Sequence, residues 1–174
     1  IMPQDDEEMA RVLYEKLKEN GVPVLLCGEK EGFKRPGYDL GNSPLEFSAD
    51  VVEGKRIVHL TTNGTRALKA AGNAKQVFIA SFANVDALAE RLWDIEEGLD
   101  SILFVVSGKE GNYCIEDTVC LGGIIQSMIS PPGQGYKISD SARTAVNLYE
   151  FYSERLLDML KQSDHGYYLE EIGL

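Results

Sequence analysis

An α/β fold, with a mostly parallel sheet flanked by helices in α/β/α layers, is what this sequence predicts. Three observations predict it. Strand-like apolar runs alternate with helix-like stretches along the chain. The runs VPVLLCG, RIVHLTT, QVFIASF and SILFVVSG are almost continuously apolar, as strands buried on both faces are. Short polar links then hand the last three of these runs to a helical segment.

Taken in order, residues 5–20 form the first predicted helix, with Met9, Val12, Leu13 and Leu17 at helical spacing. Its first turn is acidic, Lys18 lies in its last turn, and Asn20-Gly21 stops it. VPVLLCG (22–28) is a strand, and the Gly- and Pro-containing segment 29–54 is mostly irregular, a length that usually serves a site. Three strand-to-helix units follow. RIVHLTT leads into TRALKAAG, QVFIASF into VDALAERLWDIEEG, and SILFVVSG into IEDTVCLGGIIQSMIS. PPGQGYKISDS breaks the pattern, and 142–166 reads as one long helix, capped by Ser139 or Asp140 and stopped by Gly166. Its expected apolar stripe is Ala145, Tyr149, Tyr152, Leu156 and Leu160.

At 174 residues and 44% apolar composition the chain suits a single domain with a sizeable core. No apolar run reaches bilayer length and no signal-like segment opens it, so a soluble, cytoplasmic protein is expected. The net charge of −11 argues against nucleic acid, although a local cationic pocket or metal ion can still admit a small anion. Cys27, Cys114 and Cys120 include no CxxC pair, which fits a reducing compartment. Oligomeric state, including a homo-oligomer, is left open.

Ligands of parallel sheets bind at the carboxyl ends of the strands. Four segments are expected there: GEKEG, TTNGT, SFAN and SGKEG. In the second, Thr61, Thr62 and Thr65 offer hydroxyls, Asn63 an amide, Gly64 close backbone approach, and Arg66 a charged fork suited to phosphate. The plainer reading, equally weighted on spacing, is that Thr62 or Asn63 caps a helix and Asn63-Gly64 turns the chain. Glu116 and Asp117 open another helix, where acids commonly complement the dipole. Alternatively one of them coordinates Mg²⁺, joined by Glu29 and Glu31 from the first loop. The echo between GEKEG and GKEG is read as a shared turn requirement. Packing is the default for Cys27, Cys114, Cys120 and His59, and His165 is placed as a charge at a helix C-terminus.

The stretch DLGNSPLEFSADVVEGKRIVHLTTNGTRAL (39–68) closely resembles the core of the 2-phosphosulfolactate phosphatase family. GEKEGFKRPGYDLGNSP, SFANVDALAERL, SGKEGNYCIEDTVCLGGII and SDHGYYLEEIGL extend the resemblance along nearly the whole chain, with GNSP followed by TTNGTRA as its specific part. The resemblance implies a Mg²⁺-dependent phosphatase that removes phosphate from 2-phospho-3-sulfolactate, giving 3-sulfolactate in coenzyme M biosynthesis. It implicates Glu29, Asn42, Ser43, Thr61 to Arg66, and Glu116 with Asp117 as catalytic, substrate-binding or metal-binding residues. It also makes segment 29–54 a wall of the active-site cleft. Family members carry an earlier strand and an Asp-x-Leu-Arg-Ala-Thr motif, and usually a C-terminal tail. On that comparison the chain is expected to lack the family's first strand-loop-helix unit and its tail. The alternative function is a non-catalytic anion- or phosphometabolite-binding domain. A dinucleotide-binding oxidoreductase is disfavoured, because no GxGxxG opens any of the three units.

Overall fold

In the computed structural model, which describes residues 1–95, 100–130 and 135–173, the chain divides into two compact units, 1–70 and 71–174. The end of the expected helix after Ile95 and the start of the PPGQ break lie outside the described residues. Among the described residues no helix is long and apolar enough to cross a membrane.

The first unit is built on alternating strand and helix. Strand β1 (Met2–Gln4) leads into helix α1 (Glu7–Glu19), strand β2 (Val24–Lys30) and strand β3 (Phe33–Lys34). A 3₁₀ turn at Pro44–Glu46, the short helix α2 (Ala49–Val52), strand β4 (Arg56–Leu60) and helix α3 (Gly64–Ala71) follow. The sheet order is β1-β4-β2-β3, with β4 parallel to both β1 and β2 and β3 antiparallel to β2. The expected parallel α/β architecture is present. β1 has too few residues to signal itself in the sequence and owes its place to the edge of β4.

Helix α1 forms where expected and is capped as its sequence requires, with Asp6 accepting from the Met9 amide at 2.8 Å. Of the four residues expected on its buried face, Leu13 and Leu17 turn inward and Met9 and Val12 do not. Ala10, Leu13, Tyr14 and Leu17 pack with Leu26, Val58 and Leu60, whereas Met9 and Val12 are more than half exposed. The inward residues keep the i, i+3, i+4, i+7 spacing. Ala10 is fully buried; its single methyl lets the helix axis approach the strands, which a larger residue would hold off.

The second unit is helical among its described residues. It contains α4 (Val85–Asp94), α5 (Ile115–Ile129), α6 (Asp140–Tyr152), α7 (Leu156–Gln162) and α8 (Asp164–Glu171). The strands expected in QVFIASF and SILFVVSG do not form there. Residues 101–107 run without a ladder partner. Ile102 and Phe104 turn onto the cluster of Leu88, Leu92, Ile124 and Met128, while Leu103 is exposed. Alternation puts every second side chain inward, but apolar content cannot supply the neighbouring strand that a ladder needs.

The long helix expected over 142–166 is also corrected. It breaks after Tyr152, and again at Ser163, which ends α7 and caps α8 by accepting from the Gly166 amide at 3.0 Å. Gly166 therefore lies inside α8 and does not stop a helix. A side chain there would run into the Leu160 carbonyl, so this glycine permits the tight α7–α8 corner. Ser139 caps α6 as expected, accepting from the Ala142 amide at 3.2 Å.

Candidate functional site

In the first unit the parallel register carries the expected segments to one edge of the sheet. Gly28 is level with Leu60, and Leu60 with Gln4, so Glu29, Thr61 and Asp5 emerge together at the carboxyl ends. Segment 29–54 is ordered around this edge. It returns along β2, where Asp39 accepts from the Leu26 amide at 2.8 Å and Leu40 pairs with Cys27 in a parallel bridge. Because that bridge is parallel, the chain after Leu40 runs on toward the carboxyl end of β2. Asn42 and Ser43, both exposed, therefore arrive at the same edge.

The Thr61–Arg66 loop combines both sequence readings. The Thr65 amide donates to Thr61 Oγ1 at 3.4 Å, and the buried Thr65 hydroxyl donates to the Thr61 carbonyl at 2.7 Å. These two threonines thus brace the turn, and the capping expected of Thr62 or Asn63 falls to Thr61. Thr62 and Arg66 are exposed. Gly64 has no positive φ, and a Cβ there would make only an ordinary 3.7 Å contact with Thr61 Oγ1. No strain in the turn demands this glycine, and its lack of a side chain keeps the start of α3 open to close approach. Lys69 fixes α3 by pairing with Asp5 at 2.5 Å, which holds the Asp5 carboxyl below its ordinary range.

His59 is a residue whose environment the sequence does not reveal. It lies on β4 with its ring edge-on to Phe47, and its Nε2 is buried without a hydrogen-bond partner. Burial lowers its pKa from 6.5, with Glu29 opposing. The unfolded chain therefore takes up a proton near pH 6.5 that the folded chain resists. This contribution to stability is present above pH 6.5 and is lost as pH falls through the lower, folded value. Urea midpoints measured from pH 8 to pH 5 should fall more steeply for the wild type than for His59→Gln.

The second unit brings a different group together. A cleft of about 390 Å³ is lined by Lys109, Asn112, Cys114, Glu116, Ser163 and His165, among others. Its floor begins with a two-residue reversal at Glu110 (φ 54°) and Gly111 (φ 83°), between Lys109 and Asn112. The first loop repeats the device: Glu31 (φ 55°) and Gly32 (φ 80°) turn the chain between Lys30 and Phe33. The KEG echo is a shared turn requirement, as the sequence suggested. Each turn is tied by a nearby acid, Glu29 Oε2 accepting from the Gly32 amide at 3.1 Å and Asp117 Oδ2 from the Gly108 amide at 2.7 Å.

Glu116 and Asp117 occupy successive positions in the first turn of α5, and successive helix positions do not share a face. Glu116 lines the cleft, while Asp117 spends one oxygen on the turn. Among the described residues, no three His, Cys, Asp or Glu side chains gather as a metal cage. Mg²⁺ is a cation that accepts one or two carboxylates and fills its remaining positions with water and substrate oxygens. Cys114 stands just ahead of these acids, at the N-cap of α5. Burial, then Glu116 and Asp117, push its thiol above the ordinary range against the pull of Lys109.

His165 is not at a helix C-terminus, as expected, but in the first turn of α8. Lys109 Nζ lies 3.4 Å from its Nδ1 and 4.3 Å from the centre of the Tyr168 ring. An ammonium can only donate, so in this contact Nδ1 is the acceptor.

A family model described as 2-phosphosulpholactate phosphatase matches residues 1–174. A protein of Clostridium perfringens (strain SM101 / Type A), named probable 2-phosphosulfolactate phosphatase, is 37% identical over 174 residues, covering 100% of this chain and 68% of that protein. Proteins of the same name from Clostridium acetobutylicum and Trichormus variabilis are 35% identical over 159 residues and 38% identical over 145. These matches cover 91% and 82% of this chain, and 66% and 58% of those proteins. The chain thus spans about two thirds of the length of the first two relatives, and less of the third. Matched by one family model from its first residue to its last, it belongs to the 2-phosphosulfolactate phosphatase family, whose named members are phosphoric monoester hydrolases.

Proposed function

We propose that the protein containing this chain hydrolyses the phosphate monoester of a small, multiply anionic 2-phospho acid, with 2-phospho-3-sulfolactate as substrate and 3-sulfolactate and phosphate as products. One observation carries the reading. In a chain of this family, Glu29, the GNSP segment and the Thr61–Arg66 loop reach one edge of the first unit's sheet, where α3 begins. Thr62, Asn63 and the open backbone at Gly64 hold phosphoryl oxygens, and Arg66 offsets their charge. Thr61 and Thr65 set the shape of that cradle through their mutual hydrogen bonds. Asn42 and Ser43 add polar contacts from the neighbouring segment.

Mg²⁺ is the proposed cofactor, with Glu116 and the remaining oxygen of Asp117 as its protein ligands; when bound it supplies positive charge to a phosphate ester. Glu29 serves first as a brace, since its carboxylate closes the Glu31-Gly32 turn beside the cradle.

The test is phosphate release from 2-phospho-3-sulfolactate by the full-length protein, with and without a chelator. Release that stops on chelation and returns with Mg²⁺ is expected. If the intact protein binds the ester but releases no phosphate, it is an anion-binding domain and the hydrolase reading fails.

A further inference from the structure

We infer that Lys69 is a specificity-determining residue: its ammonium, held at the rim of the phosphate cradle by Asp5, takes the second acidic group of the substrate, a carboxylate or a sulfonate. The inference rests on the phosphatase reading, and every residue it uses lies in the first unit with the Thr61–Arg66 loop. Strand β1 carries Asp5 to that loop. Pairs from Met2–Val58 to Gln4–Leu60 keep β1 in register with β4, and the Thr61 amide extends the ladder by donating to the Gln4 carbonyl at 3.3 Å. Asp5 and Thr61 are the next residues of these neighbouring parallel strands, so they emerge side by side, about 5 Å apart. Lys69 comes to the same place from α3. Side chains on a helix lean toward its N-terminus, which turns Lys69 back toward the loop that opens α3. Its Nζ ends 2.5 Å from Asp5 Oδ1.

The ion pair is exposed, and pairs of that kind add little to stability. Its consequence is where it places charge. The hydrogen bond from Lys69 holds the Asp5 carboxyl below its ordinary range, and the charges of Lys69 and Arg66 act in the same direction. Arg66 precedes Lys69 by three residues, on the same face of α3. One carboxylate thus faces two cations, which leaves positive charge beside the cradle. The acids that follow Asp5 are engaged elsewhere: Asp6 accepts from the Met9 amide, and Glu7 pairs with Arg11 and Arg35. An ammonium has three protons; Asp5 takes one, and the Lys69 side chain is 64% exposed, so the others are open to a ligand. The carboxylate of a 2-phospho acid hangs on the carbon that bears the phosphoryl oxygen, and the sulfonate of 2-phospho-3-sulfolactate on the next. A cation at the side of the phosphoryl site suits a second anion placed so close.

The test compares four phosphate esters on the full-length protein: 2-phospho-3-sulfolactate, 2-phospholactate, which lacks the sulfonate, 2-phosphoethanesulfonate, which lacks the carboxylate, and ethyl phosphate, which has neither. Losing a charge-assisted contact should raise KM for the full substrate about tenfold in Lys69→Met, with kcat little changed. Ethyl phosphate should show no increase. Nor should the ester missing the group that Lys69 holds, which identifies that group. Lys69→Arg should recover most of the loss. An equal effect on all four esters, no effect on any, or a fall in kcat at unchanged KM overturns the inference.

A second measurement needs neither turnover nor a variant. In the wild-type protein saturated with 3-sulfolactate, the Asp5 carboxyl should titrate nearer its ordinary range than in the free protein, because an anion now competes for the ammonium. Carbon-13 resonances of the carboxyl follow this directly, and an unchanged Asp5 titration overturns the assignment. If no ester is cleaved, the phosphatase reading fails while this titration still decides whether Lys69 receives an acidic ligand.

Discussion

Gly122→Ala is expected to cost about 2–4 kcal/mol of stability. Gly122 is buried on α5 where α6 crosses it. A Cβ there would meet the carbonyl oxygen of Ala145 well inside contact distance and the Cβ of Tyr149 at 2.8 Å. Two effects compete. Alanine favours a helix interior over glycine by about 1 kcal/mol. Against this, the obstructing atoms belong to backbone and to a side-chain root, neither of which can rotate away, so the helices must separate along their seam. Overpacking prevails. Gly123→Ala is the control. Its added Cβ meets ring atoms of Tyr149, the nearest at 2.9 Å, and that ring can swing aside, so the loss should be smaller. Urea midpoints for the two variants measure the difference. A Gly122→Ala protein as stable as wild type would mean that the α5–α6 seam is not packed as described.

Glu116→Gln is expected to lower kcat by about 10²–10³, equivalent to roughly 3–4 kcal/mol of transition-state stabilisation. Glutamine keeps the size of the side chain and removes the charge that the proposed Mg²⁺ requires. In an anion-binding domain without catalysis, the same change should instead leave phosphate binding intact or strengthen it. Asp117→Asn separates charge from structure. Its amide oxygen can still accept from the Gly108 amide, so the turn survives while the proposed metal ligand is weakened. Steady-state kinetics across a Mg²⁺ titration, with phosphate affinity measured by calorimetry, test both variants. Full kcat in Glu116→Gln would remove this acid from the reaction.

Much of the first unit was legible because local and long-range signals agree there. Apolar runs marked β2 and β4, the acidic first turn and Asn20-Gly21 framed α1, and the parallel register then brought Glu29 and Thr61 to one edge. Phase was less legible. Met9 and Val12 drew attention from Ala10, because small size at a close contact carries no hydrophobic signal. QVFIASF and SILFVVSG read as strands because composition reports burial, whereas ladder pairing depends on residues far away in the chain. The Lys109–His165 pair was missed because 55 residues lie between its members, and because the break at Ser163 converts an expected helix end into a helix start. The Ser163 cap was the available clue: Ser-x-x-Gly inside a long amphipathic stretch can mark a new beginning as readily as an ending.

The paired Lys-Glu-Gly reversals also restrict how this chain can change in length. A link of two left-handed residues admits a single alignment of its arms, and one inserted residue would turn every later side chain of that arm over. The pairing of Lys109 with Asn112 would then be lost even with both residues retained. Insertions and deletions in related chains should therefore fall outside 30–33 and 109–112, sparing these two short spans however freely the neighbouring loops vary.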